Sequence, residues 1–367
     1  MFLSLAPVVR ARNIAYQLFT AVFPRVRLVS AINRDCADPI PLLLIGEGWF
    51  LRHLGALFVS EPVEVWSTRV LLPRLGGFVR RHAKEFGLGF SVLPDWQRRL
   101  CGARGSYRGR LSVGQVLSLA GGWEDIRTRF SRQLRKSTRD FESRSGYSSR
   151  LSRSVQDFEF FYDRMYLPYA QGRFGEYAAW TSKAEMRGYF EQEGVLLIEW
   201  GGQVVAGQIS TLDNGCYWAR KLGILDGDPA HLDAGAMVAI YVFSIKRALD
   251  LGAREVDFGG GYPFLSSGVL QHKAWWGMKL CTLKREPQCF ELFLGEDRLA
   301  ARRFLSAHPT VVADGDDLAV LSAQMPAVGD ARVEESGDRL RRWGRLGLLR
   351  ARMLEEPDWV IHDLQEH

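Results

Sequence analysis

One segment of the sequence concentrates residues that could carry out group-transfer chemistry. It starts at Asp257 and reads DFGGGYPFLSSGVLQHKAWWG. Three consecutive glycines follow a predicted strand, and glycine permits a sharp turn and close approach of a ligand to the backbone. The carboxylate of Asp257 can accept a proton from an attacking amine or hydroxyl, or it can cap the turn by bonding the amides that follow. The ammonium of Lys273 can stabilise a developing oxyanion or hold a phosphate.

A second cluster lies upstream, where aromatic residues and an arginine follow a predicted helix. Tyr166 and Arg173 are the ends of the run YLPYAQGR. The guanidinium of Arg173 is a fork that fits a carboxylate or a phosphate, so we expect Arg173 and Tyr166 to bind an acceptor. A salt bridge from Arg173 to an acid such as Glu176 is the alternative. Two further expected substrate contacts are Arg132 and Trp276, although core packing is the alternative for the tryptophan.

The elements that must position these residues follow from apolar periodicity and turn signals. Apolar residues at helical spacing predict helices over residues 121–143, 155–166, 182–192 and 234–252. Pro168 is expected to end the second of these helices. Gly201-Gly202 and Asn214-Gly215 are hairpin signals that divide residues 195–225 into three strands. Two more strands are predicted over residues 255–258 and 279–287. The result is an α+β pattern with a mixed sheet.

Length and composition exclude several classes of protein. The chain has 367 residues, of which 47% are apolar and 25% charged, so it is globular, and two domains are the default. No segment approaches the roughly 18 uncharged apolar residues of a membrane span. Arg10 and Arg12 interrupt the start too early for a secretory signal, so we expect a soluble, cytoplasmic protein. The five cysteines lack a C-x-x-C pair and the seven histidines lack metal-ligand spacing, so no metal site is expected.

The net charge of +6 is unevenly distributed. Residues 98–153 contain 14 Lys or Arg and only 4 acids. Such a cluster fits RNA phosphates, an anionic lipid surface or a pyrophosphate-bearing substrate, and an ordinary solvated surface is the alternative. Residues 8–27 alternate arginines with apolar residues at helical spacing. They predict a basic amphipathic helix that makes peripheral membrane contact or packs on its own domain.

Several motifs, in this order, resemble the GNAT superfamily, in the branch shared by FemAB-type peptidyltransferases and CelD-like acetyltransferases. The upstream half of the pattern is FSRQLRK over residues 130–136, followed by Phe160-Phe161-Tyr162 and Met165-Tyr166. The downstream half is a strand ending in Asp257-Phe258-Gly259, then Gly268-Val269, then K-x-x-W-G from Lys273. The resemblance covers roughly residues 121–277.

The resemblance implies a GNAT-type fold with a splayed, mixed sheet and two GNAT-like lobes. Residues 1–110 are then a degenerate first lobe, residues 111–294 the acyltransferase domain and residues 295–367 a C-terminal helical extension. In the FemAB group the C-terminal segment returns to the first lobe, and the same is expected here.

The resemblance also implies an acyltransferase, N-acetyltransferase-like, with acyl-CoA (acetyl-CoA) as the co-substrate. The acceptor would be an amine or hydroxyl of a cell-envelope or polysaccharide precursor. Lys273 and Asp257 would be catalytic, and the donor would lie between the fourth and fifth strands, against Arg220, Gly235 and Ala236.

Two alternatives stay open. Three aspartates near the donor loop disfavour a phosphate there: Asp226, Asp228 and Asp233. With the basic segment, they favour a FemAB-like aminoacyltransferase that uses charged tRNA. The second alternative is a non-catalytic scaffold of an envelope-assembly complex, docked through its N-terminal helix.

Overall fold

A computed structural model describes most of the chain: residues 19–32, 38–58, 60–101, 106–144, 146–175, 180–283, 288–323, 339–348, 350–354 and 359–364. The chain divides into two compact units. Unit 1 consists of Met1–Val113, Tyr262–Ser267 and Thr282–His367, and unit 2 of Gly114–Gly261 and Gly268–Cys281. The expected division after residue 110 is close to this one, but residues 282–294, expected in the acyltransferase domain, belong to unit 1. The C-terminal segment also belongs to unit 1.

The strands described in unit 1 are β1 (Arg25–Ile32), β2 (Pro39–Gly46), β3 (Val63–Arg69), β4 (Leu88–Val92), β5 (Tyr107–Arg110), β13 (Cys289–Leu294), β14 (Thr310–Asp314), β15 (Asp317–Ala323), β16 (Arg350–Leu354) and β17 (Trp359–Asp363). These described strands form two sheets, of six and four strands, in the orders β3-β1-β2-β4-β13-β5 and β14-β15-β16-β17. The helices described in unit 1 are α1 (Trp49–His53), α2 (Leu75–Arg81), α3 (Asp95–Cys101) and α12 (Arg298–Ala307).

The strands described in unit 2 are β6 (Gly114–Ser118), β7 (Tyr147–Ser152), β8 (Val195–Trp200), β9 (Gln203–Asp213), β10 (Cys216–Ile224), β11 (Glu255–Asp257) and β12 (Lys279–Cys281). These described strands form one seven-stranded sheet, in the order β12-β6-β11-β10-β9-β8-β7. The helices described in unit 2 are α4 (Trp123–Thr128), α5 (Arg132–Arg144), α6 (Val155–Phe160), α7 (Leu167–Phe174), α8 (Lys183–Glu193), α9 (Pro229–Asp233), α10 (Ala236–Asp250) and α11 (Gly268–Trp275). The predicted α+β class with a mixed sheet is confirmed.

The same pairing pattern occurs in both units. In unit 1, β1-β2-β4-β13-β5 pair antiparallel, parallel, antiparallel and antiparallel. In unit 2, β9-β10-β11-β6-β12 pair in the same succession. This repeat supports the expected arrangement of two similar lobes.

In each of these two sheets, one inner strand is distant in sequence from the two strands that it pairs with. β6 follows β5 along the sequence, yet β5 pairs with β13 while β6 pairs with β11 and β12. β13 likewise follows β12 along the chain but belongs to unit 1. The two units thus exchange a strand reciprocally.

The sheet of unit 2 is apolar on both faces, because helices cover each of them. On one face α10 packs its buried residues, among them Ile240 and Ile245, against Tyr217 and Val256. The other face, with Leu197 and Ile209, contacts the helical segment from α6 to α7. Apolar faces of these helices therefore cover both sides of the sheet and hold β10 and β11 between two helical layers.

Two helix predictions differ from the structure. The helix expected over residues 121–143 is two helices, because Ser131 begins a new one: its Oγ accepts the Leu134 amide at 3.3 Å, as an N-cap does. The helix expected to end at Pro168 instead continues from α6 through a π-helical segment, Phe161–Tyr166, into α7. The wider π turn directly before Pro168 accommodates a ring that would clash in a regular helix.

The two ends of the chain also differ from expectation. The expected helical extension over residues 295–367 contains α12 and a helical stretch at 339–345, but its other described elements are the strands β14–β17. Arg25 and Arg27, placed at the end of the expected amphipathic helix, belong to β1, and Arg25 pairs with Glu64 at 3.1 Å. Residues 8–18 of that prediction lie outside the described residues. Among the described helices, none is both long and apolar enough to cross a membrane.

Candidate functional site

In the sheet of unit 2, β10 and β11 stop pairing before β10 ends, and we call the edge of β10 beyond Trp218 the slot. The two strands pair in parallel over only three residues each, and the last pair is Trp218 with Asp257. β11 ends there, whereas β10 continues to Ile224. A bulge at Arg220 shifts the register of β10 on β9 at the same level. The expected splayed sheet is thus confirmed, and the slot begins at the carboxylate that the sequence singled out.

The corresponding strands of unit 1, β2 and β4, stay paired to their ends. β2 and β4 pair in parallel up to Gly46 and Val92, which are the last residues of both strands. A Cβ built on Gly46 would lie 2.5 Å from the Val92 carbonyl oxygen, so there is no space between the strand ends. Of the two similar sheets, the one in unit 2 therefore has the slot.

Asp257 is a buried carboxylate that caps the turn after β11. It is 2% exposed, and its Oδ1 accepts the backbone N–H of Gly259 at 2.6 Å. Burial raises the pKa of Asp257, while the Gly259 amide and the charges of Lys273 and Arg220 oppose that rise. The structure therefore shows Asp257 capping the turn. A carboxylate has two oxygens, so the second oxygen of Asp257 can accept a proton while the first caps the turn.

Lys273 approaches the same turn from α11. The residue is 4% exposed, and its ammonium donates to the carbonyl of Gly259 at 2.5 Å and to that of Gly260 at 3.4 Å. Burial lowers the pKa of Lys273 to about 8, although the negative charge of Asp257 opposes the shift. The geometry makes Lys273 a residue that holds the glycine turn rather than one that faces a substrate.

Two arginines act on this buried pair. Arg220, at the bulge of β10, donates from Nε to Thr211 Oγ1 at 2.9 Å, and its guanidinium lies 4.8 Å from the Trp218 ring centre. Its charge favours the ionised form of Asp257. Arg173, exposed in α7, donates to the Tyr169 hydroxyl, and its charge lowers the pKa of Lys273. Of the predicted residues, Asp257 and Lys273 thus meet at the turn after β11, and Arg220 and Arg173 act on them through their charges.

Gly235 and Ala236 form the start of α10. Gly235 has φ +101° and no side-chain cap, and a Cβ built there meets no atom within 4 Å. Ala236 is fully buried. Because the first amides of a helix lack partners within it, this N-terminus offers donors to an anion.

The aspartates near this loop oppose an anion less than their number suggested. Asp226 makes two bonds of 2.6 Å with Arg164, and Asp228 caps α9 by accepting the Ala230 amide at 2.8 Å. An ion pair offsets the first charge and a helix N-terminus the second. All three carboxylates are exposed, and Asp233 is the one with neither a salt bridge nor a capping contact among the described residues.

The three other expected substrate contacts have different surroundings in unit 2. Tyr166 is buried, and its hydroxyl accepts the Thr181 amide at 2.9 Å. Trp276 is fully buried and stacks on Tyr241 at 4.7 Å, so its ring belongs to the core. Arg132 is exposed at the start of α5. Glu176, the alternative partner of Arg173, lies outside the described residues.

The residues that hold the two arginines were not predicted. Tyr169 is four positions before Arg173, which is helical spacing, but the helix was expected to have ended at Pro168. Trp218 and Arg220 are two residues apart on a strand and thus share a face. In both cases the spacing in the sequence was a usable signal.

Two thiols near the slot are poor nucleophiles. Burial and the nearby carboxylates of Glu255 and Asp257 raise the pKa of Cys216 to about 12 and that of Cys281 to about 11. A thiol reacts as the thiolate, which is scarce at neutral pH for both cysteines. Among the described residues, no group of three His, Cys, Asp or Glu side chains is placed to hold a metal ion.

Comparison with solved structures found distant likenesses. L-PGS from Bacillus licheniformis aligns at 13% identity over 73% of this chain and 84% of that one, with a TM-score of 0.35. FemX aligns at 11% identity over 72% of this chain and 83% of the other, with a TM-score of 0.39. A GCN5-related N-acetyltransferase from Sphaerobacter thermophilus aligns at 15% identity over 56% and 57% of the two chains, with a TM-score of 0.31. No curated protein matches the sequence.

A family model gives the identification. The model described as an acetyltransferase (GNAT) domain matches residues 128–264. The match contains β10, the start of α10 and Asp257, and it ends before Lys273. Residues 128–264 of this chain are therefore a domain of the GNAT acetyltransferase family.

Proposed function

We propose that this chain transfers an acyl group from acyl-CoA directly to an amine, with unit 2 as the catalytic unit. The observation that carries the proposal is the slot between β10 and β11. Beyond Trp218, the edge of β10 that faces β11 has no β11 residue opposite it. An extended ligand that carries amides, as the pantetheine arm of CoA does, can pair with such an edge.

The start of α10 supports a donor that carries phosphates. The amides of Ala236 and its two successors have no side-chain cap, and the space above Gly235 is open. A helix N-terminus of this kind binds phosphate through backbone N–H groups and the helix dipole. The resemblance of the sequence motifs extends the proposal to an amine, or a hydroxyl, on a cell-envelope or polysaccharide precursor.

In the proposed reaction the acceptor nitrogen forms a bond to the acyl carbon, the carbon–sulfur bond breaks, and the CoA thiolate leaves and is protonated. Asp257 takes the proton that the nitrogen loses, and its raised pKa makes it a stronger base than an exposed aspartate. Lys273 is a positioning residue, because its ammonium holds Gly259 and Gly260. This replaces the direct oxyanion role expected from the sequence.

Calorimetric titration with acetyl-CoA tests the donor. The wild type should bind saturably, Gly235→Asp should weaken binding by roughly tenfold or more through charge repulsion, and Gly235→Asn should weaken it less. Both replacements tolerate positive φ and cap helices, so the pair isolates the charge. Absence of saturable binding by the wild type would refute acyl-CoA as the donor.

One observation favours the aminoacyl-tRNA alternative. Arg132, Lys136 and Arg139 are exposed on α5 and, among the described residues, make no ion pair. At positions i, i+4 and i+7 they share one face, about 10 Å long. Arg127 and Arg150 of the same basic segment are instead paired with acids.

Binding of charged tRNA at two salt concentrations tests this alternative. Replacing the three α5 cations by glutamine should weaken tRNA binding and flatten its salt dependence. The matched control removes three exposed cations of unit 1: Arg80, Arg81 and Lys84. Equal losses in both triple variants would show non-specific attraction and count against the alternative. Binding of neither charged tRNA nor acetyl-CoA would favour the hypothesis of a non-catalytic scaffold.

A further inference from the structure

Lys221 is a cation of β10 that has no acid beside it. It is partly buried, and among the described residues it makes neither an ion pair nor a hydrogen bond. Its ammonium lies over the ring of Tyr166, 5.9 Å from the ring centre. The attraction between a cation and an aromatic face holds the ammonium there and leaves its N–H donors for a ligand. The neighbouring cation, Arg220, instead donates from Nε to Thr211.

The bulge of β10 determines the face of the sheet on which Lys221 lies. Trp218 pairs with Asp257 on one side and with Thr211 on the other, and residues paired across strands share a face. Lys221 pairs with Ile209, which is two positions from Thr211 on β9 and therefore on the same face. Residues 218 and 221 would point to opposite faces of a regular strand, but the bulge lies between them. Lys221 and Asp257 thus share one face.

The opposite face would not suit an ammonium. There β9 and β10 pack apolar residues such as Ala219 and Ile224 against α10. On its own face Lys221 is followed two positions later by Gly223, whose backbone packs directly on that of Tyr166 and Met165. This close contact fixes the helical segment that carries the Tyr166 ring. The bulge therefore keeps the charge of Lys221 out of the apolar layer and on the face of Asp257.

Lys221 also lies within the slot. It is three residues beyond Trp218, roughly 10 Å along the strand. Beyond its last residue, Ile224, β10 leads through α9 to the start of α10, where the phosphates of the donor are proposed to bind. The acyl carbon is proposed to lie at Asp257, at the other end of the slot. Sulfur is the atom before the acyl carbon on the arm of acyl-CoA, so an arm laid along β10 brings the sulfur to the part of the slot that holds Lys221.

We propose that Lys221 is a catalytic residue that stabilises the thiolate released from acyl-CoA. The inference rests on the acyl-transfer function proposed above and adds a residue for its leaving group. When the carbon–sulfur bond breaks, its electron pair stays on sulfur, and the ammonium of Lys221 pairs with that negative charge. Asp257 takes the proton of the attacking amine on the same face. Solvent then protonates the sulfur and accepts the proton of Asp257, so both side chains return to their starting states.

Binding of CoA and of desulfo-CoA tests this contact without turnover. Desulfo-CoA has a hydrogen in place of the thiol and cannot ionise there. An ammonium within about 4–6 Å lowers the pKa of a thiol by about 1 or more, so the thiolate should bind at least about tenfold more tightly than the thiol. Calorimetry on the full-length protein gives the ratio of the two dissociation constants. Between about pH 7 and about pH 9.5 this ratio should shift toward CoA by at least about fourfold. Protein ionisations that affect both ligands cancel in the ratio.

Two replacements of Lys221 and one control assign the effect. Lys221→Met should abolish the shift, because methionine fills a similar volume without the charge, and Lys221→Arg should keep it. Lys183→Met is the matched control and should also keep it: Lys183 lies over the ring of Tyr162 at 5.4 Å, but it pairs with Asp163 at 3.0 Å. No shift in the wild type, an equal shift in Lys221→Met, or no binding of either ligand would overturn the inference.

Acetyl transfer is measured separately with acetyl-CoA. Transfer by a wild type that shows no shift would refute the role of Lys221 and leave the acyl-transfer proposal standing. A shift that depends on Lys221, without transfer to any amine, would refute the acyl-transfer proposal and leave the contact between Lys221 and the thiolate standing.

Discussion

Asp257 and Lys273 bind the two backbone polar groups of one residue, Gly259. The carboxylate of Asp257 accepts the N–H of Gly259 at 2.6 Å, and the ammonium of Lys273 donates to the carbonyl of Gly259 at 2.5 Å. Gly259 has φ +81°, a conformation that favours glycine. Two side chains sixteen positions apart therefore fix one glycine turn at the start of the slot, and the first three predictions depend on these two contacts.

Replacement of Asp257 by asparagine should separate its two roles. The asparagine Oδ1 can still accept the Gly259 amide, so the turn should persist, but an amide cannot take up a proton. We expect kcat to fall by roughly 10²- to 10⁴-fold while the dissociation constant for acetyl-CoA stays within about twofold. Steady-state kinetics and calorimetry measure the two quantities. If Asp257→Asn retains full kcat, the proton acceptor lies elsewhere.

Lys273→Met should impair catalysis more than donor binding. The methionine fills a similar volume but leaves the carbonyls of Gly259 and Gly260 without their donor, so the turn should loosen. A loss of about 10²-fold in kcat/KM is expected from misplacement alone. Lys246→Met is the control, because Lys246 is a partly exposed lysine of α10 that pairs with Glu142. Full activity of Lys273→Met would refute the positioning role.

Stability and activity should depend on pH in opposite directions above pH 8. The folded-state pKa of Lys273 is about 8, below its ordinary value of 10.5. Between these values the unfolded chain binds more protons than the folded one, so this group makes the free energy of unfolding rise with pH by at most about 1.4 kcal/mol per pH unit. Activity should fall over the same range, because the neutral amine holds the turn less tightly. Urea unfolding between pH 8 and 10 should show a smaller rise for Lys273→Met than for the wild type, and equal slopes would contradict the assignment.

Gly223→Ala should destabilise the protein strongly. A Cβ on Gly223 would lie 2.5 Å from the carbonyl carbon of Met165 and 2.6 Å from the Tyr166 nitrogen. β10 therefore packs directly on the backbone of the π-helical segment. The added methyl group should cost about 1–3 kcal/mol in the free energy of unfolding. Gly188→Ala, in α8 with nothing within 4 Å of the new Cβ, should instead be neutral or stabilising by up to about 1 kcal/mol. Chemical denaturation compares the two variants, and similar values would argue against the close contact.

The central meander and α10 could be predicted because their turns are local. Gly201, Gly202, Asn214 and Gly215 all have positive φ, as hairpin turns of this kind require. The path through Pro168 could not be predicted, because the π-helical segment is fixed by packing against Gly223, which is distant in sequence. The position of Asp257 at a strand end was correct from pattern alone. Its partnership with Lys273 required the fold, since no periodicity specifies which carbonyls an ammonium reaches.

The strands of the C-terminal region illustrate another limit. β15 and β16 pair in parallel although helical residues 339–345 lie between them in the chain. Such a pairing depends on contacts between distant residues, whereas helical patterns are local. The composition of residues 295–367 therefore suggested helices, because it carries no information on which distant segments pair as strands.

The reciprocal strand exchange has a consequence for synthesis on the ribosome. The sheet of unit 1 cannot be completed until β13, at Cys289–Leu294, has been made, although five of its six strands are finished by Arg110. The nascent chain must therefore keep an open strand edge while the whole of unit 2 is synthesised. At about 5–20 residues per second, the roughly 180 intervening residues take on the order of 10 to 40 s. An exposed edge of that lifetime is an aggregation hazard, so yield should respond to chaperone supply more than the stability of the finished protein would suggest.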